Sequence, residues 1–147
     1  MGLPNVQEAA QFSLAWNWLL VGAGGALGSI ARYEMGRRML DVSAQWHFPL
    51  GTFSINALGS FVLGLAAALI LQKLPAPLHY WYLLVGVGFC GGFTTFSTYS
   101  SETYKLLVDG QWGVALSYAA ASVVFGLAAM AIGVALGQWL GKAPAIP

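Results

Sequence analysis

The sequence predicts an all-α membrane protein of four transmembrane helices, the third of them broken. Three observations carry that. The 147 residues are 58% hydrophobic and 7% charged, with a mean hydropathy of +0.69, whereas soluble domains carry about 25% charged residues. Four runs hold no charged residue, Ala9–Ala31, Val42–Gln72, Leu74–Ser101 and Gly110–Gly141, and each exceeds the roughly 20 residues that a spanning helix needs. The third run ends in a stretch unsuited to lipid, Gly88-Phe-Cys-Gly-Gly-Phe-Thr-Thr-Phe-Ser-Thr-Tyr-Ser-Ser101. Spans at about 14–33, 48–71, 83–105 and 112–140 make one domain of residues 1–147 and leave no room for a soluble one.

Ahead of the first span, Met1–Ser13 contains Glu8 and no basic cluster, and Arg32 follows the apolar run instead of preceding it. That is a polar lead-in, not the pattern of a secretory signal. Trp16 and Trp18 suit the interfacial belt at the start of span one. Its glycines lack the third glycine of a dinucleotide loop, since Leu27 stands there, and the simpler reading is a small-xxx-small contact through Gly24 and Gly28. Two readings of Arg32 stand: a side chain snorkelling to the surface, or one folded inward to attract an anion or anchor a broken helix. Glu34, Arg37, Arg38 and Asp41 follow as a mixed-charge connection at the membrane surface.

Pro49 opens span two, where its missing N–H costs nothing. Thr52, Asn56 and Ser60 recur every four residues as one polar stripe on an apolar helix. The Asn56 amide is either interhelical glue or a hydrogen-bond donor to a solute, an uncharged group that binds an anion without trapping it. Lys73, Pro75 and Pro77 form a turn. His79, Tyr80, Trp81 and Tyr82 mark another interface, with His79 and His47 read as exposed side chains and not ligands.

Span three breaks near Gly91–Thr94. Glycine weakens a helix, and six serine and threonine hydroxyls follow between Thr94 and Ser101. A break at membrane depth is tolerated only where it is buried in protein or lines a wet cavity. Phe93, Phe96 and Tyr99 recur at i, i+3 and i+6 and so share a helix face. In span four, Tyr118 and Ser122 lie one turn apart as a short polar track, and Gly126, Gly133, Gly137 and Gly141 offer small faces for close contact.

Several function classes fall away. One cysteine, Cys90, permits no internal disulfide, and a net charge of +1 offers nucleic acid no basic patch. Glu34, Asp41, Glu102 and Asp109 all lie at span ends or in loops, and no histidine sits within a span to serve a serine as base. The chain is therefore not read as an enzyme. Nor is there the mid-span ionisable group expected of a proton-coupled transporter. What remains is hydroxyls, one amide, aromatic ring edges with partial positive charge and carbonyls freed at the break, which are hard ligands for a cation.

Three segments resemble the small fluoride channels called CrcB or Fluc: Gly24-Gly-Ala-Leu-Gly-Ser-Ile-Ala-Arg32-Tyr, Gly51-Thr-Phe-Ser-Ile-Asn56-Ala-Leu-Gly-Ser-Phe61 and Gly91-Gly-Phe-Thr94-Thr-Phe96-Ser-Thr-Tyr99-Ser-Ser-Glu102. The resemblance implies an antiparallel, dual-topology homodimer in the inner (plasma) membrane, with two fluoride pores and a structural sodium ion at its centre. It implies that the backbone carbonyls of Gly91 and Thr94 hold the sodium. Asn56, Thr95, Phe96, Ser97 and Tyr99 would line the fluoride path, Tyr118 and Ser122 would form its polar track, and Arg32 would attract anions at the vestibule. Many relatives carry phenylalanine where this chain has Tyr99, so its ring edge is kept and a hydroxyl is added. The competing readings are a small multidrug-type dual-topology exporter, which wants a membrane-embedded carboxylate, and a structural subunit, which leaves the hydroxyl run and Asn56 unexplained.

Overall fold

The structure is a computed structural model that describes residues 6–72, 74 and 78–141, with side chains from residue 14 onward. Lys73, Pro75, Pro77 and Lys142, read above as turn and terminal residues, lie outside the described residues. The described residues contain helices and no strand. They are α1 (Val6–Arg38), α2 (Leu40–Trp46), α3 (Leu50–Ala66), α4 (Tyr80–Tyr82), α5 (Gly91–Phe93), α6 (Phe96–Val108) and α7 (Trp112–Leu140). Two wide π-helical stretches join them: π1 (Ala67–Leu71) continues α3, and π2 (Leu83–Cys90) connects α4 to α5.

Three helical stretches among the described residues are long and apolar enough to cross a membrane: Leu14–Arg38, Leu50–Leu71 and Trp112–Leu140. Stretch 83–105, expected to be a span as well, runs as two pieces because Thr94 and Thr95 are both extended. At the N-terminal end α1 already begins at Val6, so the latter part of the polar lead-in is helical backbone. Pro49 caps α3 from just outside, and Leu50 is its first helical residue.

Glycine sets how closely the helices approach. α1 packs on π2 and α5, and α3 packs on α7. A Cβ at Gly24 would meet the Leu84 carbonyl oxygen, one at Gly28 would meet the Phe89 carbonyl oxygen, and one at Gly92 would meet the Gly25 carbonyl oxygen. The Gly24/Gly28 face thus lies backbone against backbone, the small-residue packing that lipid-embedded helices use in place of a hydrophobic drive. Gly133 on α7 sits in the same way against Phe61 and Leu65 of α3, and Gly137 lies 2.7 Å from the Ala68 Cβ by the same measure. Gly126 meets only the Ser60 hydroxyl, at 3.8 Å.

Two connections are closed by C-terminal caps. After α6, Gly110 takes φ +75°, its N–H reaches the Leu107 carbonyl at 3.1 Å, and the Gln111 N–H reaches that of Leu106 at 2.8 Å. This paired pattern is the Schellman motif, for which a left-handed glycine is the preferred residue. After α2 the same pair of bonds forms around His47, a non-glycine residue at φ 50°.

Candidate functional site

The candidate site is built around the interruption between α5 and α6. Thr94 has φ −79° and ψ 160°, and Thr95 has φ −151° and ψ 119°. Thr95 then serves as the N-cap of α6, its hydroxyl accepting from the Thr98 N–H at 3.1 Å, a role in which threonine satisfies an otherwise orphaned amide. That hydroxyl also bonds to Ser97 Oγ at 3.2 Å and to Thr98 Oγ1 at 3.1 Å. The hydroxyl-rich sequence is the means by which the helix restarts.

Asn56 reaches the break from α3. Its Oδ1 accepts from the Thr95 N–H at 2.8 Å, and its Nδ2 donates to the Thr95 carbonyl at 3.0 Å. An extended residue points its N–H and C=O to the same side, so one planar carboxamide engages both. From α1, Arg32 Nη1 donates to the Thr94 carbonyl at 3.4 Å and Ser29 Oγ to the Gly92 carbonyl at 3.5 Å. Of the two readings of Arg32, the inward one describes its position.

These partners take up two of the amides that a continuous helix would use. In a continuous α-helix the Thr95 N–H would bond the Gly91 carbonyl and the Thr98 N–H the Thr94 carbonyl. Both amides are diverted, the first to Asn56 and the second to the Thr95 side chain. Gly91 and Thr94 therefore lose their helical donors. Gly91 is also exposed, and a Cβ added there would meet nothing within 4 Å.

The aromatic stripe divides at the break. Phe93 is buried and stacks on Phe89, with ring centroids 5.5 Å apart. Phe96 and Tyr99 stay together at 5.7 Å, and Phe96 is 79% exposed. Phe93 thus does not share the face expected from its spacing, because two extended residues reset the helical phase. Tyr99 lies 5.2 Å from the buried ring of Tyr118. One turn further along α7, the Ser122 hydroxyl is buried without a hydrogen-bond partner among the described residues.

Sequence reasoning missed one constellation. Glu102 Oε1 accepts from Thr52 Oγ1 at 2.9 Å, and Oε2 accepts from the Tyr118 hydroxyl at 2.7 Å. These two bonds tie α3, α6 and α7 together. The signal was present: Thr52 begins the polar stripe and Glu102 closes the hydroxyl run. A cavity of about 640 Å³ lies beside this network, lined by Arg32, Thr52, Thr95, Ser97, Thr98 and Glu102 among others. A smaller recess of about 260 Å³ is lined by Asn56, Ser60, Thr94, Thr95 and Phe96 among others. Thr95 borders both.

The profile of the family described as CrcB-like protein, Camphor Resistance (CrcB), matches residues 19–134, which include the break, Asn56, Arg32 and Glu102. The chain belongs to the CrcB family. This CrcB chain is 40% identical over 124 residues to the fluoride-specific ion channel FluC of Saccharophagus degradans, covering 84% of this chain and 90% of that one. It is 43% identical over 121 residues to the protein of the same name from Phenylobacterium zucineum, covering 82% and 94%. With fluoride-specific ion channel FluC 1 of Mycobacterium tuberculosis the identity is 40% over 108 residues, covering 74% and 80%. The family expected from the three segments is the family matched. Its relatives' name and the three long apolar helices make this a membrane protein.

Proposed function

We propose that this chain is the subunit of a fluoride channel, not an enzyme, and that it carries fluoride passively out of the cell across the inner membrane. The observation that carries the reading is the interrupted helix, with its diverted amides and its exposed aromatic residue. The relatives at about 40% identity are named fluoride-specific ion channels, and this chain has the parts such a channel needs. Phe96 turns its ring outward beside Tyr99, and ring edges carry the partial positive charge that suits a small anion. Asn56 spends one Nδ2–H on Thr95 and keeps the second for a solute. Thr95 and Ser97 line the larger cavity, to which Arg32 supplies positive charge, and the Ser122 hydroxyl, one turn from Tyr118 and without a partner among the described residues, would extend the polar path.

In this reading the chain crosses the membrane four times, the third crossing being stretch 83–105, and pairs with an antiparallel copy to give two pores. The carbonyls of Gly91 and Thr94 from both chains would hold a sodium ion on the two-fold axis. They fit a hard monovalent cation: both have lost their helical donors, and Gly91 opens on free space. The Arg32 contact occupies one lone pair of the Thr94 oxygen and leaves the other, since a carbonyl has two. When bound, the ion would screen the partial negative charge of these carbonyl oxygens.

A liposome efflux assay tests the function. With a potassium ionophore present, fluoride should leave quickly and chloride should not, and a proton-driven cationic substrate should not move. Rapid chloride efflux or proton-coupled export would remove this reading. Within the same assay, Phe96→Ile should cut fluoride flux at least tenfold, because an aliphatic side chain has no polarised edge, while Tyr99→Phe should conduct. The opposite pattern would refute edge-on recognition. Pairing is tested separately by Gly91→Leu. An added Cβ there meets nothing within 4 Å in the single chain, so the subunit should fold yet elute as a monomer; a dimer of normal affinity would argue against contact through the break.

A further inference from the structure

Asn56 makes more contacts with the chain's own backbone than an anion donor requires. Its Oδ1 takes the Thr95 N–H at 2.8 Å and its Nδ2 returns a hydrogen bond to the Thr95 carbonyl at 3.0 Å. That pairing reproduces, with one side chain, the bonds of a neighbouring strand. It has two consequences. The Thr95 N–H is withheld from the Gly91 carbonyl, its partner in an uninterrupted helix. Thr95 is held extended, with its hydroxyl placed to accept from Thr98 N and start α6 at Phe96.

We propose that Asn56 is a positioning residue for the break, holding Thr95 out of the helix and thereby both freeing the Gly91 carbonyl and setting the direction of Phe96. The two parts of the channel reading, a carbonyl cation site and an aromatic anion path, are then coupled through one amide. The inference builds on that reading but concerns a backbone conformation that is measurable without fluoride. The alternative is that the break forms by itself and Asn56 merely lies beside it. Glycine at positions 91 and 92 favours that alternative. Against it, Thr95 is only 8% exposed, and a buried amide and carbonyl left unpaired carry a large desolvation cost.

The test is the backbone conformation at Thr95, read from its Cα and Cβ chemical shifts in the full chain in lipid nanodiscs, in fluoride-free buffer. Asn56→Leu removes both bonds at similar side-chain size and should move the Thr95 shifts from extended to helical values, as its N–H returns to the Gly91 carbonyl, with the shifts of α7 unchanged. Thr95 shifts that stay extended in this variant would overturn the proposal. A second variant keeps every side chain: replacing the Thr95 amide by an ester deletes only the N–H that Asn56 accepts. It should elute as wild type and lose fluoride efflux at least tenfold, because the ester oxygen repels Asn56 Oδ1. Wild-type efflux from the ester would equally overturn it. If the unmodified protein passes no fluoride, the channel reading fails while the backbone conformation at Thr95 still decides this one.

Discussion

Gly28→Leu is expected to leave almost no folded protein in the membrane. At that position even a Cβ would run into the Phe89 carbonyl oxygen and lie 2.8 Å from the Phe93 amide nitrogen. These are backbone atoms of π2 and α5, so no rotamer change clears the space. Overpacking commonly costs about 1–3 kcal/mol when side chains can shift. Here α1 must separate from the segment that bears the break, and we expect a loss above about 4 kcal/mol, at the extreme of single substitutions. Gly22→Leu is the matched control. It lies on the same helix, an added Cβ there meets nothing within 4 Å, and the variant should give normal yield. Comparable monodisperse protein from both variants, after mild detergent extraction, would contradict the close contact.

The second large effect concerns orientation. In the four-crossing reading, one side of the membrane carries Lys73 and Lys142 and the other carries Arg37, Arg38 and Lys105. Topology follows the lysine and arginine excess near span ends, and acidic residues count for little. Three against two is a weak bias. It weakens further because Arg32, which would add to the larger group if it reached the surface, turns inward to Thr94. Two lysines added beside Lys73 should fix one orientation, and that variant expressed alone should lose essentially all fluoride efflux. Co-expression with a variant biased the other way, by lysines beside Arg38, should restore it. Full activity from the single biased variant would exclude an antiparallel pair.

Helical class, the membrane setting, the apolar runs and the place of the interruption are all readable in the sequence, because each rests on local composition. A charge-free run or a glycine pair followed by hydroxyls acts within a few residues. The interruption itself falls at Thr94 and Thr95, next to the glycines and not on them. Glycine lowers the cost of a break, but the hydrogen bonds from Asn56 and the Thr95 hydroxyl decide which residues leave the helix. Those partners lie 39 residues away in one case and three in the other. Only the near one has a sequence signature, a threonine in N-cap position. The Thr52–Glu102–Tyr118 network escaped for the same reason: its members come from three helices, and an acidic residue just past an apolar run looks solvated until the neighbours are known. Phe93 was assigned to the wrong face because a 3.6-residue period was carried across two extended residues.

The backbone contact between α1 and π2 also bears on how such a chain can change over generations. One face of α1, through Gly24 and Gly28, admits no added atom. Outside that face, Leu27 and Ile30 are 60% and 65% exposed, and lipid accepts almost any apolar side chain there. Substitutions should accumulate freely at such exposed positions and be purged from Gly24 and Gly28, although the two sets are separated by one or two positions in the chain. A library that randomises residues 22–30 and selects for growth in fluoride would therefore recover α1 sequences of little resemblance to this one, all keeping glycine at 24 and 28.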